Sequence, residues 1–245
     1  MAASGLGRRI RCGCGEWGDE GSDKVAGRST LSVDEAGSSL WCKGVSTMTS
    51  QTVYTLQTNL NTHEWLHLPT EPRETITERS EAFNGQFCGK PVPRPFVYPI
   101  LERDATAVPK PLGDTPCSIP GVILFSERAV EAMRPLINHC GEFLPMDWAE
   151  GRLVAFNVCP LVDAIDFGRC KADPKPFRGC WLPGMRPDLA FRDEVVERMP
   201  IFKVPQYAKT AFVTDAFKRR WEDAGLEGAQ FERVWPWPPD LIRFW

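Results

Sequence analysis

Two short stretches constrain what this chain can fold into: Val122-Ile-Leu-Phe-Ser-Glu-Arg-Ala129 and its near echo Ala211-Phe-Val-Thr-Asp-Ala-Phe217. In each, apolar residues run into Ser126 or Thr214, then an acid, then an amphipathic run. That order describes a short strand ending on a helix N-cap. The hydroxyl takes a backbone N–H that the helix start leaves unbonded, and the acid favours the positive helix end. After Ser126, residues Ala129, Val130, Met133, Leu136 and Ile137 recur at helical spacing. Pro135 is expected to end or kink that helix, and Gly141 to stop it. After Thr214, residues Phe217, Trp221 and Ala224 form one helical stripe, closed by Gly225.

The rest of the chain is punctuated by proline. Prolines at 91, 93, 95, 99, 109, 111, 116 and 120 exclude long helices from that region and confine strands to edges. Within 52–120 the strand candidates are 53–56 and 96–101. Further on, 152–158 reads as a strand with 143–146 as its hairpin partner, and 201–204 and 230–234 read as strands. Residues 168–199 read as an irregular insertion. Strands and helices alternate unevenly, with hairpins between, which points to an α+β fold: a mixed or antiparallel sheet with a few short helices in a single main domain.

Residues 1–47 are rich in Gly, Ser and charge, and bury too little to offset ordering entropy. They are expected to be a disordered tail, or an over-extension upstream of a start at Met48 rather than Met1. A Pro-rich N-terminal part of the domain spans 48–114, the core 115–235, and a Trp/Pro-rich tail 236–245.

The formal charge of −3 is too small to imply bulk attraction to nucleic acid or membrane. Arg178, Arg186, Arg192 and Arg198 lack interleaved aromatics, so a nucleic-acid surface is unsupported. No run approaches the length of a membrane span. The nine cysteines include no Cys-x-x-Cys pair, the pattern of reduced thiols in a cytoplasmic protein.

Three patterns carry candidate chemistry. His63-Glu-Trp-Leu-His67 matches the zinc-peptidase pattern in which two His one helical turn apart bind the metal and the Glu activates water. Pro69 and Pro72 leave such a helix under two turns, and a third ligand would have to come from Glu78, Glu81 or His139. A zinc-dependent hydrolase using His63, Glu64 and His67 is therefore the alternative reading, and the leading one has no metal or other cofactor. Asp163 and Asp166 have the spacing of a general acid/base pair, set against the ordinary role of acids in a turn. Cys159 is a nucleophile only with a basic partner, and otherwise a small core residue. There is no Gly-rich phosphate loop and no Gly-x-Ser-x-Gly. Tryptophan is in excess, with nine residues, several in Pro-flanked loop text. Trp and Arg dominate interface hot spots, which selects Trp148, Trp181, Arg186 and Trp237 as partner-binding candidates.

The pieces stand in a recognisable order. Phe125-Ser-Glu-Arg-Ala129 is followed by Gly141-Glu-Phe-Leu-Pro145, then Phe156-Asn-Val158 and Val162-Asp-Ala-Ile-Asp166. After the insertion come Ile201-Phe-Lys-Val-Pro205, Phe212-Val-Thr-Asp-Ala-Phe-Lys218 and Ala224-Gly-Leu-Glu-Gly228 with Phe231-Glu232. This series resembles a bacterial immunity-protein domain family of the myxobacterial type, formerly a domain of unknown function, assigned to polymorphic toxin systems. The likeness covers about 115–235 and, through Trp65-Leu-His-Leu-Pro69, more weakly 52–110. It implies a protein without catalytic residues that binds and neutralises a cognate toxin domain encoded next door. A structural or regulatory interaction protein with no toxin is the remaining alternative.

Overall fold

The computed structural model describes residues 51–69, 83, 85–96, 100–103, 108–117, 119, 121–148, 150–171, 180 and 189–236. Ten strands and three α-helices follow one another in them. The strands are β1 (Val53–Thr58), β2 (Glu64–His67), β3 (Glu102–Arg103), β4 (Leu112–Cys117), β5 (Ile123–Phe125), β6 (Gly141–Trp148), β7 (Gly151–Val158), β8 (Ile201–Phe202), β9 (Phe212–Thr214) and β10 (Ala229–Trp235). The helices are α1 (Glu127–Ile137), α2 (Asp193–Val196) and α3 (Asp215–Asp223).

Three small sheets result, in the orders β10-β1-β9-β8, β3-β2-β4 and β5-β7-β6. Every named strand pair is antiparallel except β2 with β4. The fold is α+β, as the uneven alternation of elements implies.

Side-chain alternation explains how the sheets stack. Successive strand residues point to opposite faces. In β7, Leu153 and Ala155 enter one apolar cluster with Leu66, Phe87 and Leu144, while Phe156 and Val158 enter a second with α1 and α3. In β9, Val213 joins that second cluster and Phe212 a third, with Phe191, Phe202 and Val53. The β5-β7-β6 sheet thus separates the first two cores, and the four-stranded sheet separates the second from the third. The helices fill the middle layer: Ala129, Val130, Met133 and Ile137 of α1 meet Phe217 and Trp221 of α3 there.

Local details both match and correct the sequence reading. Ser126 caps α1, its Oγ accepting from the Ala129 N–H at 3.1 Å. Thr214 does not cap α3 with its side chain. It belongs to β9, its N–H donates to the Pro200 carbonyl at 3.0 Å, and its hydroxyl turns to that same carbonyl. The acid that follows, Asp215, instead accepts from the Thr52 N–H and the Tyr54 hydroxyl, each at 2.9 Å, tying α3 to β1. Pro135 neither ends nor breaks α1, which continues to Ile137. The one N–H it removes would have bonded to the Glu131 carbonyl, so a single bond is lost on the exposed side of the helix. Gly141 opens β6 rather than stopping the helix: a Cβ there would lie 2.1 Å from the Asn157 carbonyl oxygen, so only glycine lets the strands close. Gly225 does end α3. With φ +62° it supports a Schellman pair, Gly225 N–H to Glu222 and Leu226 N–H to Trp221. Of the strand expected at 96–101, residues 97–99 lie outside the described residues; Phe96 packs into the first core, Leu101 makes a bridge to Trp148, and β3 follows.

Candidate functional site

Glu64–His67 of the His63-Glu-Trp-Leu-His67 pattern form β2 and His63 lies in the bend before it, so the helix that the metal reading calls for is not formed. Two His four residues apart in β structure are about 13 Å apart along the strand, too far to share one ion. His67 lies on one face of β2, while Glu64 points to the other, where it is buried. The Nδ1 atom of each ring has a local hydrogen-bond partner. His63 Nδ1 is 2.8 Å from the Thr62 hydroxyl, and its Nε2 is 3.8 Å from Glu227. His67 Nδ1 bonds to the Leu68 carbonyl oxygen at 2.9 Å, and its ring lies against Trp65. Among the described residues no three His, Cys, Asp or Glu side chains converge as a metal cage.

Asp163 and Asp166 do not act on a shared point either. Asp163 pairs with Arg192 at 2.9 Å. Asp166 accepts from the Gly168 and Arg169 N–H groups, and from Arg169 Nε at 2.6 Å. The Arg169 hydrogen bond is the main reason this carboxyl sits below its ordinary value. These are turn-building acids, each matched to an arginine. Cys159 is half-buried at the end of β7, and burial, with the nearby Glu142 charge, pushes its thiol up, away from nucleophilic character. Cys88, Cys140, Cys170 and Cys180 are also free thiols.

Of the four partner-binding candidates, Trp181, Arg186 and Trp237 lie outside the described residues. Trp148 ends β6 at the tip of the β6–β7 hairpin, opposite Gly151, and packs partly on the first core. Gly151 approaches so closely that a Cβ there would stand 3.2 Å from the Trp148 indole nitrogen. Over the indole, 5.1 Å from its centroid, lies the Arg103 guanidinium. Arg103 grips Glu150 in a two-point fork at 3.0 and 2.9 Å and also bonds to buried Glu64. Its hydrogen bond with Glu150 raises the guanidinium, which stays charged throughout. Leu101, two residues before Arg103, bonds its N–H to the Asp147 carbonyl at 3.2 Å, and Ile100 beside it is 58 % exposed. A rigid aromatic, a locked arginine and an exposed aliphatic side chain therefore meet at one edge. Glu64 belongs here as a buried anchor for Arg103, a role that its place in a zinc pattern concealed.

A second arrangement escaped the sequence reading. The Asp166 turn exposes Phe167, at 51 %. Asp-x-Gly is an Asx-turn pattern, so the turn was legible, but the exposure of its central residue was not.

A family model matches residues 57–235 of the chain, that of the Immunity protein family (Imm11). The chain belongs to this family. The matched span of this Imm11 protein includes β2 to β10, the Trp148 edge and the Phe167 turn. No curated protein matches the chain. No helix among the described residues is long and apolar enough to cross a membrane.

Proposed function

We propose that this Imm11 protein works without catalysis, by binding a cognate toxin domain and blocking it. The observation that carries the reading is the family match across 57–235. Support comes from the Trp148 edge, where the Arg103–Glu150 fork holds indole and guanidinium in place before any partner arrives. Preorganised Trp and Arg side chains lose little entropy on docking and are the residue types that most often dominate binding energy. Trp148 is the first proposed contact. Trp181, Arg186 and Trp237 are proposed with it on residue type and position in the chain.

The test is co-expression with the toxin domain encoded beside the gene, scored by growth rescue and by co-purification. Rescue with a stoichiometric complex is the expected result. Absence of both, with each protein folded, overturns the reading. Within a complex, Trp148→Ala should weaken binding by about 2 kcal/mol or more. The melting temperature of the free variant separates lost contact from lost packing. Unchanged affinity removes Trp148 from the interface.

A further inference from the structure

We propose that Cys88 and Cys159 are a redox pair, joined by peroxide into a disulfide that clamps the 87–92 segment to the end of β7. This inference stands apart from the toxin-binding reading.

Ties on both sides of Cys88 bring the two residues together. After it, the Lys90 carbonyl accepts from Asn157 Nδ2 at 2.8 Å. The Val92 N–H donates to Glu142, whose carboxylate also takes the Asn157 amide at 3.0 Å. Gly89 packs so closely on Leu161 that a Cβ there would stand 2.2 Å from the Leu161 Cγ. Before Cys88, the Phe87 carbonyl accepts from Lys203 Nζ at 2.6 Å, and the Lys203 carbonyl accepts from the Val162 N–H at 2.9 Å. Residues 87, 89 and 90 are thus fastened to 157, 161 and, through Lys203, to 162. Cys88 and Cys159 lie between these ties, and the charge of one ammonium, that of Lys203, acts on both sulfurs.

Strand alternation sets the pair apart from the neighbouring thiol of Cys140. The Cys159 N–H donates to the Cys140 carbonyl at 3.0 Å, so these two are backbone neighbours. Cys140, however, is fully buried in the second core with Ile137, Phe156 and Val158. Cys159 meets the charges of Glu142 and Lys203 instead, on the Asn157 side of the sheet. Cys88 and Cys159 are both half-buried, and both are thiols in the structure.

The chemistry balances with one peroxide. One thiol loses its proton and attacks the O–O bond, which breaks to give a sulfenic acid and water. The second sulfur then attacks the sulfenic sulfur. The S–S bond forms, the S–O bond breaks, and the hydroxyl leaves as water with the second thiol's proton. Two electrons pass from the thiols to the peroxide. Burial and the Glu142 charge push the Cys159 thiol up, against the Lys203 ammonium. The thiolate is the reacting form, so the bond forms slowly and calls for an excess of oxidant.

The experiment treats the full-length chain with excess hydrogen peroxide, alkylates the remaining thiols, digests without reduction and maps cross-linked peptides by mass spectrometry. The expected product is one peptide pair holding Cys88 and Cys159, lighter by two hydrogen atoms than its parts and separated by reductant. The oxidised chain should melt about 5 °C or more above the reduced one, because the bridge restrains the unfolded chain. Cys88→Ser should abolish both effects. Alkylation of both cysteines after treatment overturns the pair, and so does a bridge from Cys159 to Cys140. A bridge between Cys88 and Cys159 that leaves the melting temperature unchanged overturns the clamp. If Cys88→Ser fails to fold, the peptide map and melting curve of the wild-type chain decide alone, since neither needs a variant.

Discussion

At the scale of single residues, the most consequential placement is Lys203. It is fully buried, and its ammonium donates to the Phe87 carbonyl at 2.6 Å and the Gly121 carbonyl at 2.7 Å. Its own carbonyl accepts from the Val162 N–H, so one residue fastens three distant segments. Burial pushes the ammonium from its ordinary 10.5 down to about 8, against partial opposition from Cys88 and Cys159. The two carbonyls also favour the charged form and hold that fall in check. Between about 8 and 10.5 the unfolded chain carries more protons than the native one at this position, so stability rises with pH there. Cys140 acts in the other direction. Burial raises its thiol from 9.0 to about 11, so the native state holds the extra proton and stability falls across that window. Cys159 is shifted the same way. The expected urea-unfolding profile rises between pH 8 and 9, with a slope of at most about 1.4 kcal/mol per pH unit, then flattens. In Cys140→Ala the rise should extend past pH 9. A fall between pH 8 and 9 in both proteins contradicts the buried-charge account. Nothing in Ile201-Phe-Lys-Val-Pro205 announces this role, because a lysine in a short strand reads as an exposed edge until the segments converging on it are known.

At the scale of elements, the two strand-cap-helix units look alike in sequence and are held by different bonds. Ser126 caps α1 and also donates to Asp114 at 2.5 Å. Burial pushes the Asp114 carboxyl up, but Arg128, Ser126 and the Glu227 N–H together hold it below its ordinary value. Ser126→Ala therefore loses a cap and leaves a buried acceptor short, at a cost of about 1–2 kcal/mol. Thr214→Val keeps the side-chain shape in β9 and loses only a 3.5 Å contact to Pro200. Its cost should stay below about 1 kcal/mol. Chemical denaturation of both variants checks the ordering, and equal losses would show that Thr214 does cap α3. The comparison also shows what a sequence can disclose. Strand-to-helix order, the β6–β7 hairpin and the α3 stripe depend on neighbours a few residues apart, and were legible. The side-chain partners of Ser126 and Thr214 come from Asp114 and Pro200, in other parts of the chain, and were not. His63-Glu-Trp-Leu-His67 misled for a related reason: a spacing of four places residues on one side of both a helix and a strand, but only the helix brings them close.

At the scale of the whole molecule, the strand that closes the fold lies mostly outside the family match. The matched span begins at residue 57, whereas β1 runs from Val53 to Thr58. β1 is an interior strand of the four-stranded sheet, with β10 on one side and β9 on the other. Val53, Tyr54 and Thr55 pair with Thr214, Val213 and Phe212, and the same residues with Leu56 pair across to Trp235, Arg233, Glu232 and Phe231. Val53 and Thr55 are fully buried, and Tyr54 holds Asp215 at the start of α3. A fragment spanning 57–235 would keep two residues of β1 and lose all of its pairing with β9. It would expose Val53's place in the third core and the Tyr54 and Leu56 surface of the second. Full burial, as of Val53, contributes about 1.5–3 kcal/mol, and the half-buried Tyr54 and Leu56 contribute a fraction of that each. With the severed ladders to β9 and β10, that loss is a large share of the about 5–15 kcal/mol that holds an ordinary domain together. The fragment 57–235 is therefore expected to show collapsed amide dispersion and no cooperative melting transition, and the fragment 51–236 to recover both. A sharp transition in the shorter fragment, within a few degrees of the longer one, would show that β10 and β9 close the sheet without β1.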